Sequence, residues 1–206
     1  MTTKKINIIK GLASWLAVAA FASLMGCSTI DAVTAQNPGG AYTPVNAHTQ
    51  DNQNRLMLKG HDVVSYFTQN KHALGKAEFR SSYEGVTFQF ANAEHKALFD
   101  KEPTKYLPQY GGYCADGILY GIPWGGDADT WIMKDDKLYI FGGQASKDAW
   151  ELNLHDNYKT ADKMWSDEIK GSNSFYQRLK RMVFKVPYYN SGSELAALVA
   201  AKKAGK

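Results

Sequence analysis

Two pairs of short β-prone segments, each pair flanking a two-residue turn signal, constrain the fold of this chain more than any other feature. Residues 77–83 and 86–90 flank Glu84-Gly85, and residues 131–133 and 137–141 flank Asp135-Asp136. A two-residue connection leaves no room for a crossover, so each pair must close as an antiparallel hairpin. In Val86-Thr87-Phe88-Gln89-Phe90 the apolar residues alternate, as a strand with one buried face requires. Helical patterns lie between and after these pairs. Asn92 is placed to cap a helix over 93–101, with Leu98 and Phe99 inward and Pro103 soon after its end. Ser146 is expected to cap 147–152, and Ala161, Met164, Trp165 and Ile169 give 158–169 a helical spacing. Strands and helices mix without the regular alternation of a doubly wound sheet. The expected fold class is therefore α+β: a single small domain of β-hairpins packed with short helices.

Both ends of the chain differ from this middle. An apolar run over 11–22 follows Lys4, Lys5 and Lys10. At roughly a dozen residues it has signal-peptide length and falls short of the ~20 a spanning helix needs. It ends at Leu24-Met25-Gly26-Cys27, which resembles the lipobox of bacterial lipoproteins. That resemblance implies cleavage before Cys27, diacylglycerol on its sulfur and the lipid bilayer as a partner. With Ser28 following, and not Asp, it implies an envelope protein anchored in the outer membrane and facing the periplasm. Residues 1–26 hold three of the 24 basic residues and none of the 20 acidic ones, so the formal charge falls from +4 to +1 once they are removed. A chain so nearly neutral lacks the basic face that nucleic acid demands, and no nucleic-acid partner is expected.

Residues 27–54, rich in Thr, Ala, Asn, Gln, Gly and Pro, cannot bury enough apolar surface to order themselves and read as a flexible tether. The folded domain is expected over 55–170. Residues 171–206 read as an amphipathic helical extension. Phe175, Leu179, Met182, Val183 and Val186 form an apolar stripe among Arg178, Lys180, Arg181 and Lys185, until Pro187 stops it. Such a stripe either packs on its own domain or lies on an anionic membrane. Residues 193–203 read as a capped alanine-rich helix too short to be stable alone.

With Cys27 committed to lipid, Cys114 is the one remaining thiol and no intramolecular disulfide can form. It lies in Gly111-Gly112-Tyr113-Cys114-Ala115, after Pro108-Gln109-Tyr110 and before Gly117. Adjacent glycines open backbone conformations closed to other residues, so Cys114 is either presented from a tight loop or buried as a small hydrophobe. Paired with His61 or His95 it would make a thiol nucleophile and base. There is no Cys-x-x-Cys, no Gly-x-Ser-x-Gly elbow, no P-loop and no His-Glu-x-x-His. Asp127-Ala128-Asp129 reads as a turn before the strand at Trp131, His48 falls in the tether, and His72 and His155 are expected in solvent.

Several separated segments resemble one family. His61-Asp62-Val63-Val64-Ser65-Tyr66-Phe67 is similar to the opening of bacterial YHS-domain proteins, and the segment from Phe90 to Phe99 is similar to their Phe-x-Ser-x-Glu-Asn-x-x-x-Phe segment. Pro103, Lys105-Tyr106, the stretch from Pro108 to Ala115, Gly126-Asp127, Trp131, Lys137-Leu138-Tyr139, and Ala161-Asp162 with Trp165 follow in the family's order. The resemblance covers roughly residues 60–165. It implies a small α+β domain related to TRASH-like metal-binding modules, which handle copper or other heavy metals. The metal-binding branch carries cysteine pairs where this chain has His61-Asp62 and the stretch from Ala91 to His95. A copper or zinc site would then draw on Cys114, His61 and His95. A small-ligand site would use Tyr110, Gly111, Gly112, Tyr113 and Cys114 with Asp62 and Tyr66. The expectation is a non-enzymatic metal- or small-ligand-binding module. The alternatives are a structural or partner-binding module without metal, and a thiol-dependent enzyme using Cys114.

Overall fold

The computed structural model describes residues 45–50, 53–172, 177–179, 183–184 and 190–205, so Cys27 and the leader lie outside the described residues. Short helices and two small sheets alternate irregularly. The larger sheet has four strands in the order β1-β2-β4-β3, comprising β1 (Ala47–Gln50), β2 (Gln53–Met57), β3 (Lys76–Tyr83) and β4 (Val86–Phe90). β1 pairs antiparallel with β2, and β3 with β4, while β2 and β4 run parallel through Leu56 and Thr87. The smaller sheet is the hairpin of β5 (Asp127–Lys134) and β6 (Lys137–Phe141).

Both hairpins turn where the sequence places them. Glu84 and Gly85 have φ of 49° and 76°, and Asp135 and Asp136 have 50° and 54°, so each two-residue loop is left-handed at both positions. Such turns match the right-handed twist of the flanking strands. In β4, Val86, Phe88 and Phe90 are buried while Thr87 and Gln89 are only partly so, as the alternation requires. Asp127 and Asp129 sit inside β5 rather than in a turn before it, because the strand begins four residues ahead of Trp131 and irregular pairing absorbs the offset.

The helices follow from their caps. α1 (Val63–Gln69) starts at Asp62, and α2 (Ala93–Lys101) starts at Asn92, whose side chain accepts from the His95 N–H at 2.8 Å. α3 (Pro103–Tyr106) opens on proline, and α4 (Ala115–Leu119) follows Cys114. α5 (Gln144–Glu151) begins at Gly143, earlier than expected, which puts Ser146 inside the helix and frees its hydroxyl for another partner. α6 (Leu154–Met164) runs into a wider π-helical turn, Trp165–Ile169.

Two cores result. One gathers Val63, Val64 and Tyr66 of α1 with Phe88, Phe90, Phe99, Leu138 and Ile140; the other gathers Tyr110, Tyr113, Ile118, Phe141, Trp150 and Tyr158. β6 serves both, because Leu138 and Ile140 face one and Tyr139 and Phe141 the other.

The folded chain starts earlier than the sequence suggests. Val45, Asn46 and Ala47 are completely buried, and β1, which includes His48, is part of the sheet. The expected tether boundary at residue 54 is thus displaced: Val45 and Ala47 join the first core, and polar Asn46 is buried because its amide is fully used, as shown below. At the other end α7 (Gly192–Ala204) carries a capping box between Ser191 and Glu194. It packs on α5 through buried Leu195 and Val199, with Lys203 reaching Asp148. A helix too short to stand alone thereby gains a partner. Of the expected apolar stripe, Leu179 and Val183 are exposed, while Phe175, Met182 and Val186 lie outside the described residues; Gln177 between them is buried and donates to Gly121 O at 3.2 Å.

Candidate functional site: the Cys114 cavity

The glycine pair sets the position of Cys114. Tyr110, Gly111 and Gly112 all have positive φ, at 53°, 63° and 76°. A Cβ on Gly112 would stand 3.2 Å from Leu58 Cδ2 and 3.3 Å from Met57 Sδ on that left-handed backbone, so glycine is required. Asn46 pins the turn: its N–H donates to Gly111 O at 2.8 Å, and its Nδ2 donates to Gly112 O at 2.9 Å and Gly126 O at 3.3 Å. Beyond the turn the Cys114 N–H donates to Trp124 O at 2.9 Å, and the residue pairs with Ile140 of β6.

The sulfur points into the molecule. Gly142 approaches it so closely that an added Cβ would lie 3.5 Å from Sγ. Burial pushes the Cys114 thiol above its ordinary range. Hydrogen bonds from the Gly117 and Gly142 N–H groups and the Ser146 hydroxyl pull the other way, while the nearby Asp116 carboxyl adds to the rise. A thiol held in its protonated form is a poor nucleophile.

Asp116, two residues on, is only 5% exposed. No described residue hydrogen-bonds or ion-pairs with its carboxyl, and burial alone pushes the group up to about 7. The indole Nε1 of Trp124 is likewise buried without a hydrogen-bond partner. Cys114, Asp116 and Trp124 line one cavity of about 200 Å³. Tyr120, Ser146, Asn190, Gly192 and Leu195 complete its wall, so the start of α7 roofs a pocket floored by α4 and the β6–α5 connection. A carboxyl this buried without a hydrogen-bond partner is unusual in a folded protein, where such groups nearly always have partners.

The other expected site residues serve the fold. Asp62 Oδ1 accepts from the Val64 and Ser65 N–H groups at 2.8 and 3.3 Å; Oδ2 accepts from the Ala91 N–H at 2.8 Å and from His95 Nδ1 at 2.6 Å. Its carboxylate ties α1, β4 and α2 together and keeps no oxygen for a ligand. His95, buried, turns its Nε2 toward Thr68 Oγ1 and Gln69 Nε2. Tyr66 donates to Ala128 O at 2.6 Å and Tyr113 to Val45 O at 2.9 Å, both within the core rather than as pocket walls. Tyr110 donates to Asp162 Oδ1 at 2.8 Å and packs on Tyr139 and Trp165. Burial raises the pKa of Tyr66 and of Tyr110, as expected for phenols kept as donors.

The structure does not bring Cys114, His61 and His95 together. His61 bonds Leu58 O through Nδ1 at 2.9 Å and stacks edgewise on His72, whereas Cys114 faces its own cavity. Among the described residues no three His, Cys, Asp or Glu side chains form a group that could hold a metal ion. The described residues therefore do not fit the zinc or copper that the family resemblance implies, since such sites need three or four clustered N, O or S donors. Among the described residues no histidine lines the Cys114 cavity, where a thiol nucleophile would need its base. Sequence reasoning passed over Asp116, Trp124, Ser146 and Asn46. One signal did exist: Asp116 is the only charged residue between Lys105 and Asp127.

No protein-family model, curated protein or solved structure matches the chain.

Proposed function

We propose that this chain is an envelope lipoprotein carrying one YHS-like α+β domain that binds a small ligand without transforming it, and that the ligand occupies the Cys114 cavity. The observation that carries this reading is a cavity of about 200 Å³ lined by Asp116, whose carboxyl no described residue hydrogen-bonds, and by the rings of Tyr120 and Trp124. A buried carboxyl without a partner costs about 1–3 kcal/mol, which a ligand able to pair with it would recover. A concave site with a few convergent polar groups is also the usual form of a small-molecule pocket. The lipobox-like segment at Cys27 supports anchorage in the outer membrane; no helix among the described residues is long and apolar enough to cross a bilayer.

The test is a ligand-observed NMR screen of small amines, amides, alcohols and carboxylates, comparing the protein with Leu195→Trp, which fills the cavity from its roof. At least one class should bind the protein and not the variant. Equal behaviour of the two toward every class would refute the site.

A further inference from the structure

We infer that the ligand of the Cys114 cavity is a small organic cation of the ammonium class, held by Asp116 between Tyr120 and Trp124. The inference rests on the proposed site and adds the chemistry of its occupant. Three independent features of the wall select charge and sign. The buried carboxyl of Asp116 is an ionisable group without a counter-charge in its described surroundings: among the described residues no Lys, Arg or His lines the cavity and none hydrogen-bonds it. Two aromatic side chains, Tyr120 and Trp124, line the same space, and aromatic rings attract organic cations most strongly where water is excluded. The remaining wall is neutral and small, with Gly117, Gly125, Gly142 and Gly192 contributing no side chain that would exclude a bulky head group.

Size narrows the class. At ~30 Å³ per water, 200 Å³ corresponds to about six or seven waters, room for a small head group. A bound cation would hold Asp116 as the carboxylate, so binding and proton release are coupled. Anions are disfavoured, because an ionised Asp116 would repel them across a cavity to which no described residue brings a cationic side chain. Neutral alcohols or amides could satisfy the protonated acid, but they would gain nothing from its ionisation.

The experiment uses the full chain, extracted with its anchor in mild detergent, and two probes of matched shape: tetramethylammonium, permanently charged, and tert-butanol, neutral. Binding is followed by saturation-transfer NMR between pH 5.5 and 8.5. Tetramethylammonium affinity should rise about tenfold per pH unit below pH 7 and then level off, because only the protein titrates. Tert-butanol affinity should not increase over this range. Asp116→Asn, nearly isosteric, should weaken the cation at least tenfold at pH 8 and spare the alcohol. Equal and pH-independent binding of both probes, both abolished by Leu195→Trp, would overturn the cation assignment while leaving the cavity as a site. Binding of neither probe would overturn it as well, and the wider screen of small molecules then decides whether the cavity is a site at all. The comparison of probes on the unaltered protein needs no variant to fold.

Discussion

Asp116→Asn is the substitution whose effect on stability follows most directly from the structure, and the effect has a sign most carboxylate mutations lack. A paired surface aspartate stabilises the fold when ionised. Asp116 does the reverse, because burial without a partner pushes its carboxyl from 3.8 up to about 7 in the folded chain. The unfolded chain therefore releases this proton first, and stability must fall as pH rises between the two values. With 1.36 kcal/mol per unit, the penalty relative to a non-titrating residue is about 0.5 kcal/mol at pH 4, about 2 at pH 5.5 and about 4 above pH 7.5, where both states are ionised and the curve flattens. Asparagine has nearly the same shape and no such penalty. Urea unfolding of both proteins at half-unit pH steps from 4 to 8.5, read by tryptophan fluorescence, isolates the effect as the difference between the two curves, since every other titrating group cancels. The variant's advantage should grow by about 3–4 kcal/mol across the range, with its steepest change between pH 4.5 and 6.5. A difference that stays flat within about 0.5 kcal/mol would refute the reasoning, because it would mean that Asp116 is either solvated or paired in the folded protein.

Other parts of the structure make equally definite demands. Cys27→Ser should abolish metabolic labelling by palmitate and move the protein from the membrane to the soluble fraction; unchanged fractionation would remove the lipid anchor from the reading. Asp62→Ala deletes four hydrogen bonds at the junction of α1, β4 and α2 and strands buried His95, so it should cost about 3–5 kcal/mol in chemical denaturation, and a loss below about 1 would contradict a structural role. Asn46→Ala leaves the Gly112 and Gly126 carbonyls without their amide donor and should cost about 2–3 kcal/mol, a loss that residues in a loose tether could not produce. Iodoacetamide should alkylate Cys114 far more slowly than a free thiol at pH 8 and reach the free-thiol rate only in denaturant; rapid reaction of the native protein would contradict its burial.

What the sequence revealed and what it hid divide along one physical line. The turns at Glu84-Gly85 and Asp135-Asp136, the alternation in β4 and the Asn92 cap are set by residues within a few positions of one another, and each is found where local pattern places it. The start of the fold at Val45 depends instead on a buried amide that meets carbonyls 66 and 80 residues away, and a polar segment with such distant partners reads locally as linker. Asp62 and His95 fail as site residues for the same reason, since chemistry-bearing side chains found in proximity to family motifs can be consumed by one another. Asp116 inverts that case. It is the single charge in a long uncharged stretch, it is buried, and no described residue pairs with it. A carboxylate that holds a fold together has its hydrogen-bond capacity filled, as Asp62 does. One whose capacity stays empty destabilises the fold above pH 4, and a fold that retains it keeps a place for whatever fills that capacity.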